Sequence, residues 1–213
     1  MATRSYDMAG RKQAQAAARA RTVAAACELL SGQECGELTF ESVAAAAGVT
    51  RVTLYNYFGS RAELLLAVFR ELGRRMRAER IRDALQESDA EAALGRLFVE
   101  STRAWQRERL AVSRVFALSI FDAELGREVA RAEQKRRASL RSLVRRLADA
   151  GALGSGISAG EATRTLGALT SFQAFSAFAV AGTAGIERRL LELARRSLGM
   201  RTANATPKKR RRR

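Results

Sequence analysis

The side chains with chemistry to offer are concentrated in one stretch, 39–61, TFESVAAAAGVTRVTLYNYFGSR. Thr50, Arg51, Thr53, Tyr55, Asn56 and Tyr57 can hydrogen-bond phosphate oxygens and base edges. Arginine pairs with guanine, asparagine with adenine, and valine can touch a thymine methyl. Arg51, Asn56 and Val52 are therefore candidate base readers. Other chemistries are poorly supplied. The chain has no histidine and two cysteines, so it cannot build a four-ligand zinc site alone or a Ser-His-Asp arrangement. No glycine-rich phosphate loop is present either. No enzyme, cofactor or metal is expected.

The stretch reads as two short helices. Thr39 is a good N-cap, and Phe40, Val43, Ala44 and Ala47 form one apolar side. Gly48 ends that helix, Val49 fills the corner, and Thr50 caps a second helix over about 51–57. Leu54 and Phe58 turn inward and the polar residues outward, the pattern of a helix-turn-helix. An amphipathic helix over about 11–31 precedes it, with Ala20, Val23, Ala24, Cys27 and Leu30 on one stripe. A capping box at Ser60–Glu63 opens a helix expected to reach about residue 85. Further helices are expected over about 88–105, 110–120, 122–150, 158–180 and 183–198, opened by Ser88, Asp122, Ser158 and Thr183. The only proline is Pro207, so nothing earlier breaks helices through a missing N–H. The fold class is all-α, with about nine helices: a three-helix head and a larger helical body.

The formal net charge is +16, which invites a nucleic-acid reading. Its placement matters more. Residues 201–213 hold seven Lys or Arg and no acid, whereas residues 1–58 hold six basic and five acidic residues. The motif is nearly neutral, so its DNA reading rests on its shape. The expected divisions are a flexible basic arm over 1–10, a DNA-binding domain over 11–66, an effector and dimerisation body over 67–199, and a disordered basic tail over 200–213.

The motif residues Thr39-x-x-x-Val43-Ala44, Gly48-Val49-Thr50, Thr53-Leu54-Tyr55-Asn56-Tyr57-Phe58 and Ser60-Arg61-x-x-Leu64 resemble the TetR-type transcriptional repressors. The resemblance covers about 23–66. It implies a homodimer whose second motif helices enter the major grooves of double-stranded DNA at a pseudo-palindromic operator. It implies DNA contact by Thr50, Arg51, Val52, Thr53, Asn56 and Tyr57, and phosphate contact by Tyr55 and Arg61, with Thr39 able to bond a phosphate. Val52 stands where the family often has a small residue, Gly59 where it often has proline, and Arg61 where it often has lysine.

The resemblance also implies a body that binds a small molecule of unknown identity and shifts the heads. Phe98, Trp105, Phe116, Phe121, Phe172 and Phe175 could line an apolar or aromatic pocket, with Ser101, Thr170 and Gln173 as polar handles. Ordinary core is the competing reading for each. Gly167, Ser171, Ala174, Phe178, Ile186, Leu190 and Leu193 are candidates for a four-helix dimer interface. Cys27 and Cys35 are expected as reduced thiols, with a redox switch as the alternative. A non-specific architectural DNA-binding protein is the other alternative. The polar N-terminus offers no secretory leader and no segment is apolar enough for a membrane span, so a bacterial cytoplasmic location is expected. The 207–213 run adds phosphate attraction and also fits a nuclear-import pattern.

Overall fold

The computed structural model describes residues 3–32 and 38–200, and among these every regular element is an α-helix. There are eleven: α1 (Thr3–Ser31), α2 (Phe40–Ala47), α3 (Arg51–Phe58), α4 (Arg61–Arg75), α5 (Ala78–Leu85), α6 (Ala90–Arg107), α7 (Arg109–Phe121), α8 (Ala123–Asp149), α9 (Ala159–Leu169), α10 (Phe172–Ala179) and α11 (Ile186–Ser197). The expected nine become eleven because two long helices are each broken once.

The first break falls between α4 and α5, where Arg77 takes φ 56°, a left-handed conformation uncommon outside glycine. No proline lies there, and Gly73 sits in the last turn of α4. Arg75, in the last turn of α4, is tied to Glu28 of α1 at 2.7 Å, so tertiary contacts fix where α4 stops. The second break falls between α9 and α10. Ser171 is extended and accepts from the Ala174 N–H, starting a new helix. The carbonyls freed at the end of α9 find other donors. Trp105 Nε1 donates to the Thr170 carbonyl at 3.0 Å, and Arg136 donates to the Gly167 carbonyl at 3.0 Å. A serine in mid-helix becomes a cap once such donors are available.

Three boundaries also move. α1 begins at Thr3, so the stretch expected as a flexible arm contains the first turns of a helix. Asp89, rather than Ser88, accepts from the Ala92 N–H at the start of α6. α11 starts after Gly185, not Thr183. Asp122 and Ser158 cap α8 and α9 as their positions require, accepting from Leu125 and Glu161. The expected tail, 201–213, lies outside the described residues.

The chain forms two compact units, Met1–Ala78 with Arg107–Arg131, and Glu79–Gln106 with Ala132–Arg213. The first holds α1 to α4, α7 and the start of α8. Its core joins Val23, Cys27 and Leu30 of α1 to Val43, Leu54, Phe58, Leu64, Val68 and Leu72, and takes in Ala111, Val115 and Leu125 from later in the chain. Each fully buried Leu or Val is worth roughly 1.5–3 kcal/mol against exposure. Arg114 of α7 fastens α1, donating to the carbonyls of Leu30 and Gly32.

The second unit holds α6, most of α8, and α9 to α11. Its buried residues include Leu94, Leu97, Phe98, Leu140, Leu143, Leu147, Leu166, Phe175, Leu190 and Leu198. Arg146 of α8 donates to the carbonyls of Leu85, Glu87 and Ser88, closing the turn after α5. Gly154 and Gly199 meet backbone to backbone, and a Cβ on Gly154 would come within 2.8 Å of the Gly199 Cα. No helix among the described residues is long and apolar enough to cross a membrane.

Candidate nucleic-acid interface

The stretch 39–61 folds as two helices joined by a tight corner. Thr39 and Ser42 form a reciprocal capping box at the start of α2. Gly48 ends the helix at φ 65° and ψ 34°, and the Val49 N–H returns to the Ala44 carbonyl at 3.0 Å. Thr50 then starts α3, accepting from the Thr53 N–H at 3.1 Å. Local caps and turn bonds therefore define the corner between the two helices.

Burial divides α3 cleanly. Leu54 and Phe58 are buried in the head, while Arg51, Val52, Tyr55 and Asn56 are exposed. Val52 is 69% exposed and Tyr55 61%. Side chains of this kind gain from being covered, and a short helix bearing them beside an arginine and an asparagine suits a DNA major groove. Thr53 and Tyr57 are half-buried, and the Thr50 and Thr53 hydroxyls lie 2.9 Å apart. Tyr55 stands edge-on to Phe40, with ring centroids 6.2 Å apart. Its ring is braced while its surface stays open.

Three partners escaped the sequence reading. Glu41, in the first turn of α2, holds Arg51 at 2.9 Å. Arg19 of α1 donates to the Tyr57 carbonyl at 3.3 Å and lies 4.6 Å from the Phe58 ring centroid, clasping the end of α3. Asp122 lies 3.9 Å from Arg61, whose Nε also donates to the Leu38 carbonyl at 3.3 Å. The only available hint was charge, an acid ten residues before Arg51. Arg61 remains half exposed, and the Thr39 hydroxyl serves its own helix cap.

The expected pocket residues do not collect in one place. Phe98, Ser101, Trp105, Thr170, Phe172 and Phe175 belong to the second unit. There Trp105 and Phe172 pack edge to face at 5.7 Å, and Phe172 lies 6.3 Å from Phe175. Thr170 is not a free polar handle. It accepts from Arg136 at 2.7 Å and donates to the Leu166 carbonyl at 2.6 Å. Gln173 is exposed. Phe116 and Phe121 belong to the first unit, and Phe121 is 89% exposed at the end of α7.

Of the expected interface residues, Ile186 and Leu190 are buried within the second unit. Gly167, Ser171, Ala174 and Phe178 are half-buried, and Leu193 is exposed. Cys27 has no exposed surface and burial pushes its thiol up to about 12, so it is a neutral core residue. Cys35 lies outside the described residues.

Residues 23–68 match the model of a family of bacterial regulatory proteins, the tetR family. No curated protein matches the chain. Among solved structures, it is similar to a TetR transcription regulator from Haloarcula marismortui, at 18% identity and a TM-score of 0.71, over 87% of this chain and 98% of that one. It is also similar to a transcriptional regulator from Rhodococcus sp. Rha1, at 17% identity and a TM-score of 0.63, over 84% and 95%. A third is a TetR-family regulator from Rhodococcus sp., described as putative, at 18% identity and a TM-score of 0.62, over 85% and 98%. At these identities the likeness establishes the fold.

Proposed function

We propose that the chain is a DNA-binding transcriptional regulator of the tetR type, a reading supported by the family model that its residues 23–68 match. α3 enters the major groove of a pseudo-palindromic operator. Arg51, Val52 and Asn56 read base edges there, while Thr39, Thr50, Thr53, Tyr55, Tyr57 and Arg61 contact or approach the backbone. The observation that carries this is the division of α3, with Leu54 and Phe58 buried and its reading face open. The regulator acts as a homodimer, because one head reads only half an operator. It represses, and a small apolar or aromatic effector bound by the body releases it.

The dimer contact is assigned to α10 and α11. Leu193 and Val180 are exposed there and Phe178 is half-buried, while Ile186 and Leu190 support them from beneath. The effector site is assigned to the aromatic group around Trp105, Phe172 and Phe175. Release requires the effector to bind one arrangement of the heads more tightly than the other.

In vitro selection of bound DNA, followed by footprinting, tests the reading. The expected result is a two-fold site with half-sites about 34–36 Å apart. Preference over random DNA should be about 10³-fold or more. Selection that returns no preferred sequence would instead identify a non-specific DNA-coating protein. Light scattering at micromolar concentration tests the dimer, and a monomer would remove it. A thermal-shift screen of apolar and aromatic compounds tests the effector. The absence of any compound that both stabilises the protein and frees DNA would remove that part.

A further inference from the structure

We propose that the head carries a second binding site, for a small amphipathic carboxylate, in a cleft between α1 and α4 that is coupled to α3. The cleft has a volume of about 260 Å³. Its floor is Ala20, Val23 and Ala67, and its rim is Arg19, Arg70 and Arg74. Val23 and Ala67 are almost wholly buried, so the floor is fixed and apolar. The remaining lining residue is an acid, Glu71, and it is already engaged by Arg74 and by Arg75 at 3.4 Å. Three guanidiniums thus line an apolar floor: Arg74 is paired with the single carboxylate, Arg19 is held at the end of α3, and Arg70 is exposed at the rim.

That combination defines the ligand. An inorganic anion would leave the floor uncovered, and a neutral apolar molecule would offer no charge to the exposed Arg70 at the rim. A compact acid satisfies both, with its ring or short chain on the floor and its carboxylate among the guanidiniums. Ligand clefts for drug-sized molecules run from about 300 to 1,000 Å³, so this one is matched to a single ring.

Arg19 supplies the coupling. The same side chain that lines the cleft donates to the Tyr57 carbonyl and covers the Phe58 ring. A carboxylate that draws Arg19 into the cleft takes it off the last turn of α3. Ligand and operator then bind antagonistically, each weakening the other by the same factor. The coupling rests on the DNA-binding reading of α3, whereas the binding site does not.

The test uses the full chain, with benzoate, the neutral isostere benzamide, and inorganic phosphate as probes. The Arg19 Nε–H signal should shift saturably with benzoate. Benzamide and phosphate should each bind about tenfold more weakly or worse, because each meets only half of the site. Arg70→Gln should weaken benzoate about two- to fivefold, the scale of an exposed ion pair. Ala20→Leu places a larger side chain at an exposed helical position, so it should fold normally, fill the cleft and abolish the shift. Saturating benzoate should weaken operator binding about fivefold or more.

Equal binding of benzamide, equal binding of phosphate, or an undiminished shift in Ala20→Leu would each overturn the site. Loss of DNA affinity with a shallower salt dependence in Arg70→Gln would instead make the rim a phosphate contact. Benzoate binding with operator affinity unmoved would overturn the coupling alone. Absence of any preferred operator would remove the DNA-binding reading and leave the benzoate result standing.

Discussion

Arg51, proposed as a base reader, is held by Glu41, and this makes the pair an informative perturbation. Their separation is 2.9 Å, and their side chains are 71% and 60% exposed. An exposed pair of this kind is worth about 0.2–1 kcal/mol. If operator binding requires Arg51 to leave Glu41, Glu41→Ala should tighten it by up to about fivefold. Arg51→Ala should do the opposite. A bidentate base contact contributes about 1–3 kcal/mol of discrimination, so operator affinity should fall about five- to 150-fold while random DNA is less affected. The double variant should resemble Arg51→Ala alone, because Glu41 matters through Arg51. Fluorescence anisotropy at fixed salt, on the selected operator and a scrambled duplex, gives all four corners of the cycle. A loss in Glu41→Ala as large as that in Arg51→Ala would mean that the ion pair itself is the reading element. Equal losses on both duplexes for Arg51→Ala would make Arg51 a backbone contact and end the base-reading assignment.

Arg61→Ala should weaken specific and random DNA alike and flatten the salt dependence by about one phosphate contact; a selective loss on the operator would contradict this. Gly48→Ala places a side chain at φ 65° with nothing within 4 Å of the new Cβ, so the cost is conformational, about 1–2 kcal/mol. The melting temperature should fall by roughly 2–8 °C, and an unchanged value would show that the corner relaxes. Arg114→Met leaves the Leu30 and Gly32 carbonyls without their donor and should lower stability by about 1–3 kcal/mol in urea titration. Cys27, raised to about 12 by burial, should stay neutral in the native Cys35→Ser variant and resist alkylation at pH 8. Its burial contributes stability in full below the unfolded thiol's pKa, and that contribution is lost as pH rises toward about 12. Native alkylation at pH 8 as fast as that of the unfolded chain would show that the residue is accessible.

The motif was legible because its determinants are local. Thr39, Gly48 and Thr50 each act through bonds to residues three or four positions away. The spacing of Leu54 and Phe58 fixes which side of α3 is open. Capping serines and acids made the starts of α4, α8 and α9 readable for the same reason. What stayed hidden depends on distant partners. Arg114 packs α7 onto α1 across more than eighty positions. Arg19 reaches Tyr57 across thirty-eight. The two helix breaks carry no proline, and the glycine before each, Gly73 or Gly167, lies two residues inside the helix that ends there. The breaks arise because Glu28 holds Arg75, and because Trp105 and Arg136 satisfy the freed carbonyls of α9. Helical periodicity also reports only that a face is apolar, not what covers it. Ile186 and Leu190 therefore read as interface residues although they are buried within their own unit, and Phe121 read as a pocket residue although it is exposed.

One contact links the first turn of α4 to a longer element. Asp122 accepts from the Leu125 N–H at 2.9 Å through Oδ1, which caps α8, and its Oδ2 lies 3.9 Å from Arg61 at the start of α4. Arg61 follows the C-terminus of α3 by three residues and bonds the Leu38 carbonyl just before α2. A single carboxylate thus ties the first turn of α8 to the frame that holds both motif helices. α8 is continuous from Ala123 to Asp149, and the compact units divide within it, at Arg131 and Ala132. A change that moves or frays the first turn of α8 must alter the Asp122 cap. That change is then felt at Arg61.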